Sequence, residues 1–343
     1  MQSSLFPDTS PDSSHTSAVQ PATPAASVAE LAATLPRTLR LGTSSWHYPG
    51  WAGLVWDKGY TENQLSREGL PAYARYPLFR TVSMDRGFYK PLTEAQYAAH
   101  AAQVPADFRF VIKAPARVTD PQVRGPGGQG KTINNAINNV INPDFLDATV
   151  AMREFVEPAL AGLGSKLGAL VFQISPLPSA WQPQIPRLIE LLHALLRAIP
   201  DLIPDLKARA PDAVVAVEVR DPVWLSPAFV AALKDTGSTY CLGLHPKMPP
   251  ITEQLPVLRA LWPGPLVCRW NVNPIHGAYG YEAARDKYAP YDRLQDEDLA
   301  TRTALAKVIT GTVGAGQLAY VTLSNKAEGC APRSVEKLAR ALG

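Results

Sequence analysis

Eight short apolar runs, each followed by a stretch with helical signals, constrain this chain more than any other feature. They are Leu39–Ser45, Phe79–Met84, Phe108–Pro115, Leu167–Ser175, Ala213–Arg220, Thr239–His245, Pro265–Val272 and Leu318–Asn325. A continuous apolar run bounded by turn formers reads as a strand covered on both faces. Thr93 to Gln96 reads as a capping box opening a helix. Ile185–Ile199 places Leu188, Ile189, Leu192, Leu195, Leu196 and Ile199 on one broad face. Ser226-Pro227 is an N-cap followed by proline at the first helical position. Strand then helix, eight times over, predicts a (β/α)8 TIM-type barrel. An open doubly wound sheet is the competing α/β arrangement, but no dinucleotide glycine fingerprint follows an early strand.

The barrel domain is expected over residues 37–343. Residues 1–36 are rich in Ser, Thr, Pro and Ala and read as a disordered tail. Within it, Gln2-Ser3-Ser4-Leu5-Phe6 resembles the short peptide with which bacterial repair and replication proteins dock on the sliding clamp. Net charge is +3 with scattered basic residues, which argues against a basic arm and leaves room for a local anion site. Cys241, Cys268 and Cys330 are widely separated without a CxxC, so a cytoplasmic protein with reduced, buried thiols is expected, not a cysteine zinc site. No apolar run is long enough for a bilayer, and the N-terminus lacks the basic start and apolar core of a signal peptide, so no membrane partner is expected.

In such a barrel, function sits at the carboxyl ends of the strands. Strand side chains alternate, so Glu218 and Arg220 point the same way. Charges on one face of a buried strand are costly unless paired, hydrated or used. An internal ion pair and a functional site are both open readings here. The other runs end in further polar groups: Trp46, His47 and Tyr48 after the first, Asp85, Arg86 and Tyr89 after the second, Lys113 on the third and Gln173 on the fourth. His245 ends the sixth, Arg269 and Asn271 the seventh, and Asn325 the eighth. The balance leans positive and suits a phosphate or carboxylate. Lys113, Arg220 and Arg269 are the expected anion holders and Glu218 the candidate general base, with Lys113 beside it in the catalytic role.

Taken together these phrases resemble the bacterial and archaeal YecE-like family, the domain of unknown function 72. Gly42-Thr43-Ser44-Ser45-Trp46-His47-Tyr48 with Trp51 matches its opening phrase. Phe88-Tyr89 with Pro91, Phe108-Arg109-Phe110 with Lys113-Ala114-Pro115, and Leu167-Gly168 with Phe172-Gln173 match the next three. Glu218-Val219-Arg220 with Trp224, and Asn325 with Ala331-Pro332, match the last two. The resemblance implies a (β/α)8 barrel and a rim of site residues, but no reaction. The chain departs from the family at Val82-Ser83-Met84-Asp85, Thr119-Asp120, Gly243-Leu244-His245 and Arg269-Trp270-Asn271-Val272, as a divergent member would. Roles of the carboxylates and histidines missing there do not carry over.

Two stretches suggest other chemistry. Gly125–Thr132 fits the phosphate-loop pattern, which would make a nucleotide triphosphatase. Yet it lies ten residues beyond Pro115, and Ile133–Asn139 is rich in poor helix formers, so a loop over the barrel mouth is the expected reading. Residues 273–298 interleave His276, Tyr279, Tyr281, Tyr288 and Tyr291 with Arg285 and Lys287, as a stacking lid or a packed surface loop. No H-x-H or H-E-x-x-H spacing exists, and no metal or cofactor is expected. The leading functional expectation is an enzyme-like barrel, a hydrolase or isomerase acting on a phosphorylated or sugar-like substrate. The ligand at its mouth would be an anionic small molecule or a nucleic-acid end; a non-catalytic nucleic-acid-binding or DNA-repair-associated module is the alternative.

Overall fold

A computed structural model describes residues 18–123, 141–202 and 206–343. The clamp-like peptide Gln2–Phe6 and the glycine loop Gly125–Thr132 lie outside the described residues. Eight strands close a parallel barrel in sequence order: β1 (Leu39–Thr43), β2 (Thr81–Met84), β3 (Arg109–Lys113), β4 (Leu167–Gln173), β5 (Val214–Glu218), β6 (Thr239–Leu244), β7 (Leu266–Trp270) and β8 (Ala319–Leu323). β8 returns beside β1, with Ala319 opposite Leu39. Every expected run contains its strand, shortened by one or two residues at one or both ends.

Alternation divides the strand side chains into two sets. Val111, Ala169, Val171, Val214, Ala216, Cys241, Val267 and Tyr320 pack as a cluster of their own inside the ring. Phe110, Ile112, Leu170, Phe172, Val217 and Leu242 face the other way and join the core shared with the helices. The interior is therefore a filled core, not a pore. At the amino end Asp212 is held by Arg40 at 3.2 Å and Arg109 at 2.8 Å, and the Tyr320 hydroxyl donates to its carbonyl at 3.0 Å. Two residues beyond the filled layer, toward the carboxyl end, the same alternation presents Lys113, Gln173, Glu218 and Arg269. Gly42 is needed where β1 meets β2: a Cβ there would lie 1.9 Å from the Thr81 carbonyl oxygen.

The capping box at Thr93 and Gln96 forms as expected, and the Ser226 hydroxyl accepts from the Phe229 N–H. Helix Ile185–Leu202 packs its apolar face inward, with Leu188, Leu192, Leu195 and Ile199 buried. The stretch 18–36 departs from the disordered tail expected over residues 1–36. Ala26–Thr34 is a helix that buries Val28 and Ala32, and Leu35 follows into the core. Ahead of it, Ala22 N–H donates to Val55 O at 2.9 Å and Gln20 O accepts from Asp57 N–H at 3.1 Å. Alanine is the best helix former, and a few buried apolar side chains are enough to seat such a helix. The three cysteines are free and buried.

Candidate functional site

The carboxyl ends of the strands surround a cavity of about 530 Å3. Among its lining residues are eleven of those anticipated: Trp46, His47, Tyr48, Asp85, Tyr89, Lys113, Gln173, Arg220, His245, Arg269 and Asn271. Glu218 and Asn325 are not among them. Arg86 and Tyr281, also named from the sequence, line it too, and the structure adds Ser83, Ser324 and Lys326.

An ion cluster forms the cavity floor. Glu218 has no exposed surface; its Oε1 lies 2.5 Å from Arg220 Nη1, and its Oε2 accepts from Arg269 Nη1 at 2.7 Å. Arg269 Nη2 reaches Asp85 Oδ2 at 2.5 Å. Gln173 Oε1 accepts from Arg220 at 3.2 Å and from Arg269 at 3.1 Å, and Asn271 Nδ2 donates to Glu218 at 3.3 Å. β6 makes room for this cluster with Gly243, where a Cβ would crowd Glu218 Oε1 at 3.1 Å and Arg220 Nη1 at 3.2 Å.

This geometry corrects the role expected of Glu218. Burial by itself pushes its carboxyl up, but the Arg220 and Arg269 guanidiniums outweigh that and hold it down to about 2. A carboxylate so acidic, closed to the cavity and engaged on both oxygens is a poor general base near neutrality. It anchors the two arginines. Asp85, with a partly exposed side chain, is the carboxylate that faces the cavity. Asn325 needs a second correction. Its Oδ1 accepts from Trp51 Nε1 at 3.1 Å and from Ala331 N–H at 2.8 Å, tying the loop after β1 to the last helix, Ala331–Arg340.

Two cations remain uncommitted. Lys113, the last residue of β3, lies with its ammonium 3.5 Å from the centre of the Phe88 ring, and no hydrogen bond or ion pair holds it among the described residues. Burial pushes this amine down to about 8, with Arg269 and Arg220 adding to the effect and Asp85 and Glu218 opposing it. Lys326 stacks over Tyr281 at 4.2 Å and Tyr291 at 5.6 Å and likewise has no carboxylate partner. Lys326 was missed in the sequence because the eighth run was read to end at Asn325. Extending the inward alternation from Ser324 by one more step reaches it. Arg86 lies over Trp46 and is tethered to Ser66.

His245 accepts from the Lys247 N–H through Nδ1 at 3.1 Å. Burial and Arg220 lower its pKa to about 4, so near neutrality it is an uncharged imidazole with Nε2–H available as a donor. His47 lies 3.2 Å from Glu62; burial and Arg86 lower its pKa, with Glu62 opposing. The tyrosine segment divides. Tyr288 is buried and bonded to His276 at 2.9 Å, Tyr291 packs edge-on against Tyr48, and Tyr279 and Tyr281 stay exposed. Among the described residues, no three His, Cys, Asp or Glu side chains gather as metal ligands, and no helix is long and apolar enough to cross a membrane. A larger groove of about 950 Å3, lined by Leu255, Leu258, Trp262 and Val308, runs between helices Ile251–Ala260 and Leu299–Gly314 and reaches the amino ends of β6 and β7 at Thr239 and Leu266.

A family model described as a protein of unknown function, DUF72, matches residues 40–343. The chain belongs to the DUF72 family. A DUF72 structure from Enterococcus faecalis shares 16% identity over 89% of this chain and 95% of its own, with a TM-score of 0.55. Another from Thermotoga maritima shares 18% identity over 89% of this chain and 98% of its own, with a TM-score of 0.51. These likenesses support the barrel fold of this DUF72 member. No curated protein matches it. Asp85, His245 and Asn271, which lie in phrases that depart from the family resemblance, all line the cavity.

Proposed function

We propose that this DUF72 member binds an anionic small molecule, bearing a phosphate or a carboxylate, in the barrel mouth and acts on it as an enzyme. The observation that carries this is the charge of the lining: among the described residues, Arg86, Lys113, Arg220, Arg269 and Lys326 stand against one carboxylate, Asp85. Glu218 beneath them neutralises part of Arg220 and Arg269, so Lys113 and Lys326 supply the free charge and the arginines an oriented donor surface. Serine hydroxyls and the His245 Nε2–H add neutral donors. A concave site with convergent polar groups and one perturbed amine, Lys113, suits a small substrate.

The test is calorimetric titration with inorganic phosphate and with a panel of phosphorylated and carboxylated metabolites at low salt. Wild type should bind at least one of them. Lys326→Met should weaken that binding roughly 10- to 100-fold, the worth of one charged hydrogen bond, while leaving the melting temperature near wild type. Equal affinity in the two proteins, or no anion bound at all, counts against the reading.

A second reading, a nucleic-acid end as the ligand, is favoured by the exposed tyrosines at the same face. Tyr279 is 88% exposed with Lys247 over its ring at 4.6 Å, and Tyr89 and Tyr281 rim the cavity. Tyrosine interleaved with lysine stacks bases without reading sequence. Oligonucleotide affinity that falls steeply with salt, and falls again in Tyr279→Ala, supports it. Absence of oligonucleotide binding at low salt removes it.

A further inference from the structure

We infer that Lys113 Nζ is a carbonyl-trapping amine, condensing with the aldehyde or keto group of the anionic molecule in the barrel mouth to form an imine. This rests on the anion-binding reading for the substrate class and adds to it the functional group that reacts. The amine nitrogen adds to the carbonyl carbon and one of its protons passes to the carbonyl oxygen; the resulting carbinolamine then gives up its remaining N–H proton and loses that oxygen as water while the C=N bond forms. No oxidant or reductant is needed.

Placement carries the argument. Lys113 is the inward-facing residue of β3 just above the filled layer, two residues past Val111, and it lines the cavity. The other floor cations are spent: Arg269 is bound to Glu218 and Asp85, and Arg220 to Glu218 and Gln173. Only Lys113 is left there without a hydrogen-bonding or ionic partner among the described residues, resting on the Phe88 ring. A lysine held for charge alone would sit against Asp85 or Glu218; the arginines have taken both. The groups facing it are Asp85, Glu218, Arg220 and Arg269, the neutral imidazole of His245 shares the cavity, and Phe88 shields one side. Asp85 exerts the strongest attraction on it, and the proton that must leave the ammonium before attack passes to water in the barrel mouth.

The lowered pKa of about 8 agrees with this placement. Roughly a tenth of such an amine is free at pH 7, against about one part in 3,000 for an ordinary lysine. Lower basicity reduces intrinsic nucleophilicity, but not by that ratio, so a net advantage of ~10-fold or more remains.

The experiment is reductive trapping on the full-length protein. Wild type is incubated with glyoxylate or dihydroxyacetone phosphate and sodium borohydride, and adducts are located by peptide mass mapping. The expected result is one adduct on Lys113, formed at least ~10-fold faster than on any other lysine, with a rate that rises through pH 8 and that inorganic phosphate suppresses. Lys113→Arg keeps the charge and should lose that adduct. The wild-type map stands even if a variant folds poorly. Adducts scattered over surface lysines, while phosphate still binds the wild type, overturn the imine and leave the anion reading intact. Labelling of Lys113 by acetaldehyde as fast as by glyoxylate, indifferent to phosphate, overturns the anionic substrate class and leaves the amine chemistry standing.

Discussion

Replacing Glu218 with glutamine is expected to lower the unfolding free energy by about 3–5 kcal/mol, the cost of removing one member of a buried ion cluster. Glu218 sits with no exposed surface between Arg220 and Arg269, and Asn271 is bonded to the same carboxylate. A neutral amide is nearly the same size, so packing changes little. The loss comes from two guanidiniums left close together beneath the cavity, with Asp85 on Arg269 as the remaining counter-charge among the described residues. Chemical denaturation measures it. Removing Arg269 as well, in Glu218→Gln with Arg269→Gln, should cost less than the sum of the two single changes because the repulsion goes with it. Additive costs would mean that the three groups do not act as a cluster. The pH dependence has a definite sign. The carboxyl is held to about 2 in the fold against an ordinary value of 4.5. Its contribution is therefore fully present above about pH 4.5 and is lost as pH falls toward 2. Wild type should lose stability through that window more steeply than Glu218→Gln.

Asn325→Leu is the second large effect, about 2–4 kcal/mol, from two buried donors left without an acceptor. One Oδ1 atom accepts from the Trp51 indole and from the Ala331 N–H, joining segments 274 residues apart in sequence. Trp51 is fully buried beside Tyr48, Trp56 and Tyr73, and Tyr48 lines the cavity. The substitution should therefore lower the denaturation midpoint and loosen the cavity wall, read as a red-shifted and more quenchable tryptophan emission. An unfolding free energy within about 0.5 kcal/mol of wild type would show that water replaces the lost acceptor.

Much of the site was legible because strand alternation is local. Lys113, Gln173, Arg220 and Arg269 were found by their places at the ends of apolar runs, and all four line one cavity. The misreadings share one cause. A run shows which way a side chain points, but not what it meets across the ring. Glu218 reads equally as a base or as half of an internal ion pair until Arg269, 51 residues away, closes on it from β7. Asn325 reads as a rim residue until Trp51 and Ala331 claim its oxygen. Lys326 is overlooked because nothing local says that the inward alternation continues past β8. The helix Ala26–Thr34 hides in an alanine-rich tail because its partner surface, the last helix of the barrel, lies some 300 residues on.

The amino-acid order alone determined a closed ring of eight parallel strands and the side of each strand that carries chemistry, because backbone pleat and apolar spacing are properties of neighbours in the chain. Tertiary structure alone decided which charges cancel and which stay free. Ion pairing depends on distances of a few ångströms between residues that only ring closure brings together. That closure spends Arg220 and Arg269 on Glu218 and leaves Lys113 unpaired in the mouth.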